Sequence, residues 1–188
     1  MSDDLAARSG LPTAYRYLLE DLPRLRWHEP QVGATARFWL QMHGGFRHQA
    51  DAMTRLTSGW RSGNLSLPDL HRQLIPTLQG FLQHLDGHHT IETHRYFPMM
   101  RQLEPRIGAG IDLMDRDHDA IHAILEDLFR SGLALHQSVI GQAATAPDAA
   151  ARMAETLDRA TPLLARHLED EEDIVVPLIT RHADRFQV

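Results

Sequence analysis

Hydrophobic positions recur along this chain mostly three or four residues apart, which is the spacing of helices that bury one face. The alternation of apolar and polar residues that indicates strands is absent. Four long helices are therefore predicted, over residues 32–60, 66–103, 105–139 and 147–182. Their connections are short, and short connections favour antiparallel neighbours. The sequence thus predicts an all-α fold, an antiparallel up-down-up-down four-helix bundle.

Local signals mark where these helices begin and where they are disturbed. Ser66, followed by Pro68, is a favourable start for the second helix. Other prolines fall inside or near the ends of the predicted helices, where a missing backbone donor is expected to bend or terminate a helix. These prolines are Pro76, Pro98, Pro162 and Pro177.

The first 30 residues differ from the rest of the chain. Their stretch "LPTAYRYLLEDLPRLRW" (residues 11–27) predicts an extra amphipathic helix or an arm that packs on the bundle. The predicted organisation is therefore an N-terminal arm over residues 1–30 and a bundle over residues 31–188.

Composition narrows the classes of function and partner. The net charge is −6 and the arginines are scattered, which argues against a nucleic-acid partner. No apolar run approaches the roughly 20 residues of a membrane helix, and the acidic start "MSDDLAARSG" lacks the pattern of a secretory signal. We therefore expect a cytoplasmic protein without a membrane partner. With no cysteine and 13 histidines, any metal must be bound by nitrogen and oxygen.

Two stretches, "HHTIETHRYFP" from residue 88 and "HLEDEEDIVVP" from residue 167, repeat one pattern. Each has a histidine, a glutamate four residues later and a proline ten residues after the histidine. The positions are His88, Glu92 and Pro98, and then His167, Glu171 and Pro177. A further histidine precedes each stretch, His43 by 45 residues and His118 by 49. Both halves of the chain therefore present the same residue types in the same order.

This order points to a metal site at the centre of the bundle. Residues four apart project from one face of a helix, and His118 and His122 on the third helix share that spacing. So many buried imidazoles and carboxylates need a cation to satisfy them. The candidate ligands are His43, His88, Glu92, His118, His122, His167 and Glu171. Five imidazoles and two carboxylates exceed the needs of one tetrahedral zinc and suit two ions with an open position.

A simpler interpretation exists for each pair taken alone. A histidine and an acid four residues apart can merely stabilise a helix. The recurrence in both halves favours the metal. Other histidines are predicted to lie at the surface, namely His28, His48, His71, His136 and His182.

Four stretches, "MHGGFRHQADAM", "HHTIETHRYFP", "DRDHDAIHAIL" and "ARHLEDEEDIVVP", resemble the hemerythrin family in its bacterial HHE cation-binding branch, over roughly residues 35–185. The resemblance implies a four-helix bundle with a non-haem di-iron centre, in which two iron ions share carboxylates and an oxo or hydroxo bridge. Manganese or zinc would fit similar donors. By this likeness each candidate ligand above binds metal, and Glu92 and Glu171 are the bridges.

Three positions depart from the family pattern or leave a choice. Oxygen carriers have an acid five residues after the last histidine, where this chain has Glu172, but Glu171 is favoured because five residues turn a side chain by about 140°. The histidine pair on the third helix is a feature of the oxygen carriers, so the chain mixes two subtypes. His89, where some HHE proteins have an acidic ligand, is predicted to support the ligands rather than to bind metal.

Further residues bear on the reaction. Tyr96 lies one turn beyond Glu92 and is the candidate catalytic residue, as a ligand, a hydrogen-bond donor or an electron donor, or else a tyrosine at the bundle edge. Gly44 and Gly45 follow His43 and indicate either close helix packing or a route for a small molecule.

Three functions remain open at this point. The first is a di-iron protein whose centre binds or reacts with dioxygen or peroxide. The second is a di-iron oxidoreductase of peroxidase or oxidase type that acts on an organic substrate. The third is an iron, oxygen or redox sensor that acts through a protein partner. Ferritin-like sites need Glu-x-x-His and zinc peptidases need His-Glu-x-x-His, and neither motif occurs in the chain.

Overall fold

The computed structural model describes residues 3–186, so the first two and last two residues of the predicted domains lie outside the described range. Its α-helices are α1 (Ala34–Arg61), α2 (Leu67–Ile91), α3 (Phe97–Leu103), α4 (Gly108–Ile140) and α5 (Ala146–Arg181). Within residues 3–186 there is no strand. The prediction of an all-α four-helix bundle is confirmed, with α2 and α3 together forming the second long helical stretch.

The start of α2 follows the predicted local chemistry. The hydroxyl of Ser66 accepts a hydrogen bond from the backbone N–H of Asp69 at 3.2 Å and donates one to the Asp69 carboxylate at 2.6 Å. This side-chain cap satisfies a backbone donor that the first turn of a helix leaves open. The helix therefore begins where the serine and the following proline indicate.

A π-helical turn, Glu92–Tyr96, joins α2 to α3. The N–H of Phe97 donates to the carbonyl of Glu92, five residues back, instead of four. Pro98 follows directly, and a proline cannot donate to the preceding turn and crowds it. The wider turn is thus placed at Glu92, a candidate ligand, and such turns often occur at functional sites.

The other prolines do not end their helices. Pro76 lies within α2, and Pro162 and Pro177 lie within the continuous α5. A proline inside a helix removes one hydrogen bond, and the rest of the ladder continues on both sides. Of the two expected effects, termination is therefore wrong at these three positions, and bending stays a prediction.

The chain forms two compact units. Within the described range, unit 1 consists of residues 3–45, 89–120 and 165–186, and unit 2 consists of Phe46–His88 and Ile121–Leu164. Unit 1 contains the start of α1, the end of α2 with α3, the start of α4 and the end of α5. Starts and ends alternate along the chain, as antiparallel neighbours require.

The core of unit 1 includes side chains from the N-terminal arm. Residues 3–33 contain three short 3-10 turns, Thr13–Tyr15, Tyr17–Glu20 and Arg24–Arg26, and no α-helix. Three buried leucines of this segment belong to the same hydrophobic cluster as aromatic and branched side chains of the bundle. Members of this cluster are Leu11, Leu18, Leu22, Trp39, Phe97, Ile111, Ile174 and Val175. The segment is therefore an arm rather than an amphipathic helix, and the predicted boundary at residues 30 and 31 stays a prediction.

Unit 2 has an apolar core of its own. It surrounds a small cavity whose lining includes Met53, Phe81, Leu85, Leu128 and Leu157. None of the described helices combines the length and the apolar composition that a membrane span requires.

Candidate metal centre

His43 lies on α1 and is fully buried in unit 1. Its Nε2 atom is 3.5 Å from Oε1 of Glu171 and 3.9 Å from Oε1 of Glu92. Its Nδ1 atom is 3.1 Å from Oε1 of Glu172. One ring nitrogen therefore faces two carboxylates, and the opposite nitrogen is held by a third.

Three more histidines of unit 1 lie together. The rings of His89 and His118 stack with centroids 4.2 Å apart, and the ring of His167 is 5.2 Å from His89 and 5.1 Å from His118. Each of the three offers one nitrogen, and these atoms lie within 4.8 Å of one another. We call these three residues group B. They are enough to hold one metal ion.

A second set of donors has the same compactness and is called group A. Its members, each offering one atom within 4.8 Å of the others, are His43, His88, Glu92 and Glu171. His88 is the last residue of unit 2 and is bonded directly to His89, so one helical turn separates it from Glu92. Group A has the mixed nitrogen and oxygen donors that a second ion would need.

Glu92 and Glu171 each reach toward both groups. In Glu92, Oε1 faces Nε2 of His43, and Oε2 lies 3.5 Å from Nε2 of His118. In Glu171, Oε1 faces His43, and Oε2 lies 3.4 Å from Nε2 of His167. Each carboxylate thus presents one oxygen to group A and the other to group B. This is the arrangement of a carboxylate that bridges two ions.

The separations between donors fit a shared cation. Two ligands that each lie 2.0–2.2 Å from one ion are roughly 3.0–3.5 Å apart. The distances from the Nε2 atoms of His118 and His167 to the glutamate oxygens, 3.5 and 3.4 Å respectively, fall in that range. His167 is fully buried, and its Nε2 has no hydrogen-bond partner within the described chain. A cation would supply what such a buried imidazole lacks.

An outer partner orients the ring of His118. The hydroxyl of Thr93 donates to Oδ1 of Asp115 at 2.9 Å and lies 2.9 Å from Nδ1 of His118. Because its own hydrogen goes to Asp115, the hydroxyl accepts from the Nδ1–H of His118. This contact leaves Nε2 as the lone-pair nitrogen that faces the candidate centre.

A carboxylate plays the corresponding part at His167. Oδ2 of Asp117 lies 3.6 Å from Nδ1 of His167, and the buried guanidinium of Arg8 pairs with the same carboxylate. The pKa of Asp117 is raised by burial, but His167 and Arg8 outweigh this and keep it below its ordinary value. Asp117 is therefore held as a carboxylate beside the outer nitrogen of His167.

Negative charge dominates the surroundings of His43. Burial alone lowers the pKa of this imidazole, but the carboxylates of Glu171, Glu172 and Glu92 outweigh burial and raise the pKa to about 10. A proton on His43 thus offsets part of the negative charge when no cation does. Metal ions and protons therefore compete for this site.

Trp39 is a contact that the sequence analysis did not identify. Its indole Nε1–H donates to Oε1 of Glu171 at 2.8 Å, and both side chains are buried. Trp39 precedes His43 by four residues, so the same spacing rule could have placed it on the face of His43. Tyr96 packs edge-on against Trp39 with ring centroids 5.1 Å apart, and stacks on Phe186. Tyr96 therefore meets Trp39 and belongs to neither donor group.

The structure does not bring His122 to either group. Its side chain is 64% exposed and lies 3.5 Å from Asp86 within unit 2. His118, one turn earlier, is buried in unit 1. The two share a helix face, but His122 lies one turn further along the axis, about 5.4 Å away, and belongs to unit 2. Six of the seven candidate ligands come together, and His122 is the exception.

His89 belongs to a donor group, although the sequence analysis named His122 and not His89 as a metal ligand. It adjoins His88, and neighbouring residues on a helix point about 100° apart. Two adjacent histidines can therefore serve two ions that lie side by side near the helix. The sequence analysis considered His89 and predicted that it supports the ligands, whereas the structure places its ring beside His118 and His167 in group B.

The neighbouring glycines Gly44 and Gly45 are not packed against another helix. A Cβ atom added at either position would meet nothing within 4 Å, so the interpretation as close helix packing is wrong for both. Gly44 is exposed, so the open space there lies at the helix surface, and the route for a small molecule stays a prediction.

Comparison with known families agrees with this geometry. The family model described as the hemerythrin HHE cation binding domain matches residues 34–179. The match begins at the first residue of α1 and ends two residues before the end of α5. No curated protein and no solved structure matches the chain significantly.

Proposed function

Since the chain belongs to the hemerythrin HHE cation-binding family, we propose that it is a non-haem di-iron protein that reacts with dioxygen or hydrogen peroxide. The observation that carries the proposal is the reach of Glu92 and Glu171, each with one oxygen toward group A and one toward group B. Imidazole and carboxylate donors suit iron. A bound pair of ferrous ions would supply two electrons to dioxygen.

The protein's own residues fix and enclose such a pair. Glu92 and Glu171 would hold such a pair, each with one oxygen directed to each donor group. Glu172 contacts Nδ1 of His43, and Thr93 contacts Nδ1 of His118. Both contacts direct the Nε2 atom of the ring toward the centre. Burial excludes bulk water and strengthens each electrostatic contact. These features support a centre that holds its ligands in place before a small oxidant arrives.

An enzyme of peroxidase or oxidase type is the second candidate, and one observation favours it. Trp39 touches Tyr96 on one side and hydrogen bonds to Glu171 on the other. This pair offers a short route for an electron between the partly buried tyrosine and the centre. In a carrier, which must release dioxygen unchanged, such a route would be a disadvantage. Tyr96 is the proposed redox residue, acting through Trp39.

A sensor that acts through a protein partner is the third candidate. It would need a part of the chain whose position depends on the metal, and the N-terminal arm packs in the same unit as group B. For all three candidates we expect the cytoplasm as the compartment.

Metal analysis with an optical spectrum tests the di-iron proposal. Protein purified aerobically and loaded with iron should contain two iron ions per chain and show a near-ultraviolet band from a coupled ferric pair. The warrant is the number of donors, which fill two sites and leave room for an exogenous ligand. One zinc ion per chain, with no such band after iron loading, would overturn the proposal.

Reversibility separates carrier from enzyme. The protein is reduced anaerobically, exposed to dioxygen and then sparged with argon. We expect oxidation to the ferric form within minutes and no return to the ferrous spectrum. A spectrum that persists under dioxygen and reverts on sparging would establish a carrier.

The role of Tyr96 is tested with a matched pair of variants. Tyr96→Phe should slow peroxide turnover, because the phenol is the electron donor of the proposed route. Tyr15→Phe is the control, since Tyr15 is a partly buried tyrosine packed on the same hydrophobic cluster. Equal turnover in both variants would remove Tyr96 from the reaction.

A further inference from the structure

We propose that Arg8 makes the N-terminal arm a positioning element of the metal centre, so that docking of the arm and binding of metal favour each other. The inference rests on the proposal that the centre binds metal ions, but on no particular metal or reaction. All of the contacts that carry it lie within unit 1.

The side chain of Arg8 is fully buried although it comes from the first turns of the chain. Its Nη1 donates to Oδ1 of Asp117 at 2.9 Å, and its Nη2 donates to Oδ2 of the same carboxylate. Its Nε donates to Oδ2 of Asp170 at 2.7 Å. One guanidinium therefore joins Asp117 of α4 to Asp170 of α5. Its contact with Asp117 is bidentate, which is the strong form of an arginine–carboxylate pair.

Both carboxylates are next to candidate ligands in the chain. Asp117 directly precedes His118, and Asp170 directly precedes Glu171. Asp117 also faces the outer nitrogen of His167 at 3.6 Å. The Arg8 clamp thus fixes α4 and α5 at the level where they supply their donors. Outer partners of metal ligands typically influence affinity because they orient those ligands.

The charges give the coupling its sign. Five carboxylates are buried around the clamp and the groups, namely Glu92, Asp117, Asp170, Glu171 and Glu172. Mutual repulsion among them opposes the close approach of α4 and α5 that the clamp requires. Metal ions would offset that repulsion and leave both carboxylates in place for Arg8. If metal binding stabilises the docked arm, then docking of the arm must tighten metal binding by the same free energy.

A second arginine of the arm provides a matched comparison. Arg24 donates from Nε to Oδ1 of Asp173 at 2.6 Å and from Nη2 to the carbonyl of Glu169 at 3.0 Å. It therefore also anchors the arm to α5. Within the described chain, however, Asp173 pairs with Arg16 and Arg24 and with no histidine. Arg24 docks the arm without reaching the donor groups.

The test compares Arg8→Gln with Arg24→Gln in the full-length protein. Ferrous iron affinity is measured anaerobically by competition with a chelator, and hydrogen exchange of residues 3–30 is followed with and without iron. Arg8→Gln should weaken binding about tenfold, at the lower end of what outer partners contribute. Arg24→Gln should speed exchange around residue 24 but leave the affinity within about twofold, because the contacts of Arg8 with Asp117 and Asp170 stay in place.

Hydrogen exchange tests the same coupling in the opposite direction, from metal binding to docking of the N-terminal arm. In the wild type, iron should slow exchange of residues 3–30, and in Arg8→Gln that slowing should disappear. Arg8→Lys, which keeps the charge but loses the bidentate contact, should recover part of the affinity. If Arg8→Gln does not fold, Arg8→Lys and the iron dependence of wild-type exchange carry the test.

The outcomes that overturn the proposal are distinct. An iron affinity of Arg8→Gln equal to that of the wild type would overturn it. So would equal losses of iron affinity in Arg8→Gln and Arg24→Gln. A rate of exchange in the wild-type arm that does not change with iron would overturn it as well. In each case the wild type still binds iron, so the metal centre itself would stand. A wild type that binds no iron would overturn both proposals together.

Discussion

At the scale of single residues, two neighbouring glutamates of α5 have different surroundings. Glu171 directs its two oxygens to His43 and His167, whereas Glu172 faces the outer nitrogen of His43. The spacing argument that favoured Glu171 over Glu172 agrees with this placement. Bridging by Glu171 and orientation of the His43 ring by Glu172 are therefore the roles that the proposed centre predicts.

Replacing these two glutamates should therefore have different effects. Glu171→Gln should lose at least one of the two metal ions, because an amide is a poor bridge between cations. Glu172→Gln should keep both ions with about 10- to 100-fold weaker binding, as expected for an outer partner. Metal content after dialysis and chelator competition measure these effects. Retention of both ions by Glu171→Gln would show that the carboxylate is not a bridge.

A second pair at this scale is His89 and His122. His89→Gln should lose the metal of group B, because the side chain stacks on His118 within that group. His122→Gln should keep both ions, since His122 is largely exposed beside Asp86. Metal analysis of both variants decides the matter. Loss of metal from His122→Gln alone would restore the assignment made from the spacing of His118 and His122.

At the scale of elements, α2 and α4 meet in unit 2 through two histidines that the sequence analysis placed at the surface. Nε2 of His71 lies 2.9 Å from Nδ1 of His136, and both rings are partly buried. Burial and then the neighbouring His136 lower the pKa of His71 below 6.5. The folded chain therefore binds a proton at His71 less readily than the unfolded chain does.

This contact predicts a loss of stability in mild acid. A lowered folded pKa gives stability that is present above about pH 6.5 and is lost as the pH falls through the folded pKa. The melting temperature of metal-free wild type, measured relative to that of His71→Gln, should drop between about pH 7.5 and pH 5.5. The comparison is needed because the raised pKa of His43 adds stability in both proteins as the pH falls toward 6.5. His48→Gln, at an exposed histidine of α1, is the control. An equal drop in wild type and His71→Gln would refute the role of this pair.

At the scale of the whole molecule, the buried carboxylates of unit 1 make stability depend on metal. A ligand that binds only the folded state stabilises it by about 2.7 kcal/mol when its free concentration is 100 times its Kd. Chelation should therefore lower the melting temperature of the wild type. In His167→Ala the shift on chelation should be much smaller, because group B is incomplete. A wild-type melting temperature that is the same with and without the chelator would contradict this dependence.

Much of the fold followed from local signals in the chain. The periodicity and the Ser66 cap predicted helix ends close to those observed, as in 147–182 against Ala146–Arg181. The predicted range of this helix already includes two internal prolines. Pro162 and Pro177 sit inside α5 because packing along a long helix can outweigh one missing hydrogen bond.

The sequence by itself determined which residue types the site would use. The repeated histidine and glutamate pattern is a spacing within single helices, so it can be recognised without knowing how the helices pack. The tertiary structure decided which of the competing residues face the centre. The choice of His89 over His122 depends on the rotation and level of one helix against others, and the π-helical turn at Glu92 changes that rotation locally. The contact of Arg8 with Asp117 joins positions 109 residues apart. No local pattern specifies such a pair, because only the packed chain brings the two charges together.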